Sequence, residues 1–161
     1  MDKQIQEKAK TLICETRVMT MAVSHQDVPW STPVYFVFHN KGFYFFSNEA
    51  SRHIRHAENH KMVSASIFQD ANQIDMIFGF QMHGVVEKVS GMVLYMKVVK
   101  KYVKKFDFLS NIFGEELVEN TSFFLEKFKS HLYCFYPEKI VLSDNSRTRG
   151  KRMQIDLGAV L

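Results

Sequence analysis

Apolar residues at Ile5, Ala9, Leu12 and Ile13, separated by lysines and glutamines, recur at helical spacing. They predict an amphipathic helix over about Lys3 to Glu15, lying on the body of the protein. The period then changes to two. Thr16 to Ser24, with alternating Met and Val, predicts a first strand, and His25 to Pro29 supplies turn chemistry. Trp30 to His39 predicts the next strand, whose centre, Val34 to Phe38, is apolar on both faces and so calls for cover on two sides. Pro33 can donate no ladder bond, which assigns it to an edge, a bulge, or a place where something other than a strand approaches. Asn40, Lys41 and Gly42 close a hairpin into the aromatic strand Phe43 to Phe46.

A polar loop, Ser47 to Ala50, leads into a helix starting near Ser51, and Met62 to Phe68 predicts another strand. After a turn at Gln69 to Gln73, Ile74 to Val89 forms a long strand or a bent pair. Gly79 and Gly84 interrupt it, as at a bulge, a barrel corner or a close approach to a ligand. Gly91 to Phe106 returns to helical period. Leu94, Tyr95, Val98, Val99, Tyr102, Val103 and Phe106 share one arc, and Lys97, Lys100, Lys101, Lys104 and Lys105 fall on the opposite one. Ser122 to Lys129 reads as a short helix with Phe123, Phe124 and Phe128 inward. Leu132 to Leu142, broken at Pro137, reads as a strand closing the barrel. Asp144 and Asn145 then signal a turn, and Met153 to Leu157 resumes alternation. About six short strands in hairpin order predict a mainly β chain. The expected architecture is one antiparallel barrel domain over residues 1–161, with an N-terminal helix and a helical insertion at about 91–129.

Composition narrows the class. With 161 residues, 46% hydrophobic and 14% aromatic, the chain can bury a sizeable core and is not disordered. The N-terminal residues form no apolar leader, and no run approaches the ~18 apolar residues of a spanning helix, so a cytoplasmic protein without membrane partners is expected. Cys14 and Cys134 lie far apart without metal-ligand spacing and read as two buried thiols. A net charge of +4 is too small an excess to signal nucleic-acid binding, and the lysine arc reads as a solvated helix face.

Hydrolytic and nucleotidyl motifs are absent. His53, His56 and His60 recur at helical spacing, but His53 is better used elsewhere and no metal site is assigned. Its better use is at the start of the second helix, where Ser51 is a good N-cap while Arg52 and His53 place cations against the helix dipole. A helix N-terminus can hold an anion, so this turn reads either as a phosphate cradle or as a solvent-facing basic turn.

These residues carry a resemblance. A strand, Ser47-Asn48, Ser51-Arg52-His53, a short helix ending in Asn59-His60-Lys61, and then Met62-Val63-Ser64-Ala65-Ser66 resemble the flavin-binding split barrels typified by pyridoxamine 5'-phosphate oxidase. The likeness runs from about Thr20 to Val89. The Asp144-Asn145-Ser146 segment with Gly150-Lys151 looks more like a small bacterial branch of that superfamily than like the oxidase. The resemblance implies FMN as cofactor, with haem as the alternative known among split-barrel relatives. It implies that Ser51, Arg52 and His53 clamp the phosphate and that Phe46 and Ser47 pass the ribityl chain. The backbone of Thr32, Pro33, Val34 and Tyr35 would border the isoalloxazine, with Gly79 and Gln81 on a second ring-contacting strand. His83, Lys151 and Arg152 are the substrate-side candidates, the last two on a C-terminal arm expected to border the pocket. Basic residues on the Ser31 to Val37 strand and the oxidase's C-terminal Arg-x-His signature are missing, so the true oxidase activity is not expected. The expected function is an FMN-dependent oxidoreductase acting on a small molecule, with a flavin- or haem-binding module without turnover as the alternative. A homodimer with flavin sites at its interface is expected, because Val34, Phe36 and Phe45 are more apolar surface than a small barrel should leave to water.

Overall fold

The computed structural model describes residues 3–59, 62–113, 120, 122–147 and 152–156. Helix α1 (Lys3–Glu15) buries Ile5, Ala9, Leu12 and Ile13, the stripe its sequence periodicity predicts. Strand β1 (Val18–His25) alternates buried and exposed positions and turns through Gln26 and Asp27 into β2 (Val28–Tyr35). Both turn residues have positive φ, the primed geometry that matches strand twist. The turn is therefore shorter than His25 to Pro29, and Val28 and Pro29 already belong to β2. Phe36 interrupts the strand before β3 (Val37–His39), and a second pair of positive-φ residues, Asn40 and Lys41, leads into β4 (Gly42–Ser47). Gly42 is required there, since a Cβ would stand 2.3 Å from the Cys134 sulfur.

Helix α2 (Arg52–Asn59) connects β4 to β5 (Met62–Phe68). The stretch from Ile74 begins as a 3-10 turn, Ile74–Met76, and only then becomes β6 (Phe78–Lys88). Helices α3 (Met92–Lys105), α4 (Asp107–Phe113) and α5 (Phe123–Phe128) follow. Then come β7 (His131–Asp144) and β8 (Arg152–Ile155). The strands form one antiparallel eight-stranded sheet in the order β2-β1-β5-β6-β7-β4-β3, with β8 added to β7. This curled sheet is the expected split barrel, with more strands than the six predicted. Pro33 sits on β2, the edge strand, where a missing N–H costs no ladder bond.

Pro137 does not break β7. The β6–β7 register shifts between His83 and Gly84, pairing His83 with Lys139 but Gly84 with Pro137, so Glu138 is the extra residue of a bulge. Gly84 is the counterpart of that bulge, because a Cβ there would lie 2.0 Å from the Tyr136 carbonyl oxygen.

Inside the curl, Phe36, Phe43, Phe45, Phe80 and Phe135 pack with Met19, Met21 and the inner faces of α1 and α2. Outside it, α3 lays Val98, Tyr102 and Phe106 on Val37, Tyr44, Leu132 and Cys134. Strand β4 is thus covered on both faces, as its unbroken run of apolar residues requires. Three expectations change in consequence. Val34, Phe36 and Phe45 are buried within the chain and leave no interface of their own. Cys14 is exposed and only Cys134 is buried. Lys105 turns inward, its Nζ donating to the Ile13 carbonyl at 3.0 Å and lying 4.0 Å from the Phe36 ring centre, so it leaves the solvated lysine arc. The turn after β7 is pinned to α1: Asp144 is buried, accepts bonds from the Ser146 amide and hydroxyl, and pairs with Lys8 at 3.5 Å.

Gly84→Ala is expected to destabilise the protein by about 1–3 kcal/mol, because the new methyl group meets backbone that cannot yield without losing the β6–β7 register. Chemical denaturation measures this, and an unchanged midpoint would exclude the bulge as a fixed element.

Candidate functional site

Where the second face of β4 runs out, α3, α4 and α5 leave a cavity of about 400 Å³. Its walls bring together Thr32, Pro33, Val34 and Tyr35 from β2, Phe46 and Ser47 from the end of β4, and His53 from α2. These seven candidates lie on separate elements and converge on one space. The opposite wall is helical and aromatic: Tyr102 and Phe106 from α3, Phe108 and Leu109 from α4, Phe124 and Phe128 from α5. Sequence periodicity marks the α3 and α5 residues only as inward-facing, since nothing in a helical arc distinguishes a core contact from a cavity lining. Phe128 lines the space yet is 46% exposed, so it borders the mouth and is not the core residue expected.

Ring packing fixes the walls. Phe46 stacks on Phe124 at 3.6 Å between centres and meets the edge of Tyr102 at 5.2 Å. The Tyr102 hydroxyl donates to the Tyr35 carbonyl, tying α3 to the end of β2. Burial pushes the Tyr102 phenol well above its ordinary value, so it stays a donor.

The polar end has a definite proton order. Ser51 Oγ donates to the Asn48 carbonyl at 2.6 Å, which leaves it an acceptor for Ser47 Oγ at 3.2 Å. Ser47, having spent its proton, accepts from His53 Nε2–H at 2.9 Å. His53 is only 8% exposed, and burial lowers its pKa, so the imidazole is neutral at pH 7 and its Nε2 proton is committed. Ser51 also departs from the expected cap: its hydroxyl turns back to Asn48, and its own N–H bonds the same carbonyl. The Ala50 amide is likewise taken, by Asn48 Oδ1 at 2.8 Å. Arg52 is different. Its guanidinium lies 4.5 Å from the Trp30 ring centre, a cation–π contact that uses none of its N–H donors. Ser51 and Arg52 adjoin the cavity at the start of α2 without lining it.

The remaining candidates lie elsewhere in the chain. Gly79, Gln81 and His83 occupy β6, where Gly79 sits under the Phe68 ring, Gln81 stands between Ser66 and Val141, and His83 is exposed. Arg152 is on β8 opposite Ser143, away from the cavity, and Arg147 bonds Gln4 of α1. Lys151, with Gly150 and Arg149, lies outside the described residues, as does His60. The His56 ring lies against that of His25, tilted, with 5.0 Å between centres. Among the described residues no helix is long and apolar enough to cross a membrane.

The sequence matches the family model described as "Pyridoxamine 5'-phosphate oxidase" over residues 5–124. No curated protein matches it. Among solved structures, the fold is similar to that of a haem-binding protein from Mycobacterium smegmatis, with a TM-score of 0.68 and 13% identity, over 99% of this chain and 61% of that one. This chain thus spans about three fifths of that protein. HutZ, the haem storage protein from Vibrio cholerae, aligns with a TM-score of 0.61 and 20% identity over 83% of this chain and 91% of that one. A protein from Clostridium acetobutylicum related to general stress protein 26 of B. subtilis aligns with a TM-score of 0.67 and 10% identity over the whole of both chains. At these identities the structural likeness is one of fold, and it is the family model, spanning most of the chain and every element that converges on the cavity except α5, that makes this protein a member of the pyridoxamine 5'-phosphate oxidase family.

Proposed function

We propose that the cavity between β2, the end of β4, α2 and the helical insertion binds FMN and that the protein is a flavin-dependent oxidoreductase for a small substrate. The observation that carries this reading is the convergence of Thr32–Tyr35, Phe46, Ser47 and His53 on one aromatic-walled space of a size usual for small-molecule sites, about 300–1,000 Å³. The residues present fit the group. Backbone of β2 and the rings of Phe46, Phe106 and Phe124 offer an apolar slot for a flat heterocycle, and Arg52, whose N–H donors bond none of the described residues, stands at the polar end for a phosphate.

Bound there, FMN would supply reversible two-electron chemistry that no side chain of this chain can provide. The chain's own residues bind and position. Trp30 holds the Arg52 guanidinium by its face, which leaves the edge free for an anion. Burial keeps the imidazole neutral, and the ordered chain from His53 through Ser47 and Ser51 to Asn48 holds the ring and the strand end in place. Tyr102 holds the Tyr35 carbonyl, fixing the β2 backbone that would border the ring.

Haem is the weaker fit, since the cavity's single histidine among the described residues has its Nε2 engaged by Ser47. A homodimer belongs to the reading. Trp30 at 42%, Tyr35 at 54% and Ile112 at 66% exposure leave apolar surface on β2 and α4, two of the elements that line the cavity, and Gln81, which does not line it, would be supplied by a second copy. Light scattering is expected to give twice the 18.9 kDa chain mass, and a monomer would remove the shared site.

Titration of the purified protein with FMN and with haem tests the cofactor directly: flavin fluorescence quenching at micromolar FMN is expected, whereas a Soret band with no response to FMN overturns the reading. Arg52→Ala should weaken FMN binding about tenfold to a hundredfold and leave riboflavin, which lacks the phosphate, nearly unaffected. Equal FMN affinity in the variant excludes the anchor.

The buried imidazole also links stability to pH. Its folded pKa lies below the ordinary 6.5, so as pH falls the unfolded chain takes up the proton first. The contribution of neutral His53 is fully present above about pH 6.5 and declines as pH drops through that value towards the lower folded one. His53→Gln should flatten this part of the acid limb, with a residual slope from His39, whose pKa burial also lowers. Denaturation midpoints at about pH 7.5 and 5.5 read the difference, and an unchanged slope in the variant excludes the neutral buried role.

A further inference from the structure

Helix α3 separates two cavities. Tyr102 and Phe106 face the one described above, whereas Lys101, Lys104 and Lys105 face another of about 560 Å³, bounded by the end of α1 and the β3–β4 hairpin. The two share no lining residue. Ile13, Val37 and Phe38 give the second cavity an apolar floor. Lys41 from the hairpin and Lys101 and Lys104 from α3 give it a cationic rim.

Those three ammonium groups have no ion-pair partner among the described residues. Lys105 is used differently, tied to the Ile13 carbonyl and the Phe36 ring, and burial lowers its pKa to about 8. His39, on the same cavity, is held below its ordinary value by burial and then by Lys101 and Lys97. A solvated helix face disperses its charges into water. Here a lysine on a separate hairpin converges with two on the helix over one concavity whose described lining holds no carboxylate, Glu138 and Asp156 bordering Lys41 in the neighbouring cavity instead. A helix face alone does not explain the hairpin lysine or the apolar floor between the cations.

We infer that this groove is a second ligand site, for an amphiphilic dianion whose apolar body lies on Ile13, Val37 and Phe38 and whose charged head sits between Lys41, Lys101 and Lys104. The inference is independent of the flavin reading, because none of these residues lines the first cavity.

Cys14 reports on the site. It lines this groove and is exposed, while the chain's other cysteine, Cys134, is buried, so alkylation by N-ethylmaleimide reads occupancy of the groove alone. The probe is 1-naphthyl phosphate, a dianion on an aromatic body, with inorganic phosphate and 1-naphthol as charge-only and body-only controls. Saturable protection of Cys14 by 1-naphthyl phosphate is expected, with neither control matching it. The double variant Lys101→Glu with Lys104→Glu, two exposed positions, should require about tenfold or more probe for the same protection, with melting temperature and FMN titration unchanged. Absence of protection at millimolar probe overturns the proposal, as does equal protection in the charge-reversed variant. Inorganic phosphate performing as well as the aryl phosphate would overturn the amphiphile and leave a solvated cationic face.

Discussion

Strand β4 cannot be left with a wet face. Gly42, Phe43, Tyr44, Phe45 and Phe46 contain no polar position on either side of the pleat, so one face must enter the barrel core and the other must find a second cover. Full burial of one such aromatic ring is worth about 1.5–3 kcal/mol, and several on one short strand outweigh any single polar contact in the molecule. That requirement makes the helical insertion part of the fold. Helix α3 arrives as the second cover, and the cavity exists where α3, α4 and α5 diverge from the strand they protect.

The same constraint sets the chemistry. A cavity built from leftover aromatic cover suits a planar heterocycle, and two of its polar side chains, Ser47 and His53, meet where β4 ends and α2 begins. There the protons are already allocated. Ser51 gives its proton to Asn48, Ser47 to Ser51 and His53 to Ser47, whereas Arg52 bonds no other described residue through its N–H donors. Histidine within a basic turn is thus a positioning residue, because burial removes the charge that its place in the sequence suggests.

Helix α3 works on both sides. Its aromatic arc walls one cavity, and the lysines on its flank, together with the hairpin, wall another. Lys105 lies at the boundary, where its ammonium group rests on the Phe36 ring and donates to the Ile13 carbonyl in the last turn of α1. A single amphipathic helix packed on a curled sheet therefore partitions the surface into an apolar aromatic cleft and a cationic one.

Local chemistry was sufficient for much of this. Period-two runs, the turns at Asn40-Lys41 and the N-terminal stripe of Ile5, Ala9, Leu12 and Ile13 depend only on neighbours in sequence, and they defined the strands, hairpins and helix α1. Pro33 in an otherwise regular strand marked a position without a ladder bond, open to an edge, a bulge or another approach, and the sheet order made it an edge. The candidates on β2, β4 and α2 were legible through an ordered pattern of residues. Tertiary structure decided what depends on distant partners. Pro137 became half of a bulge because Gly84, far away in sequence, leaves room for the Tyr136 carbonyl. Tyr102 and Phe124 became cavity wall because Phe46 reaches them, and Phe106 because it packs on Tyr35 and Tyr102. Lys105 left its charged neighbours because Phe36 and the end of α1 lie beneath it, and the charge of His53 was settled by burial, a quantity that no stretch of sequence contains.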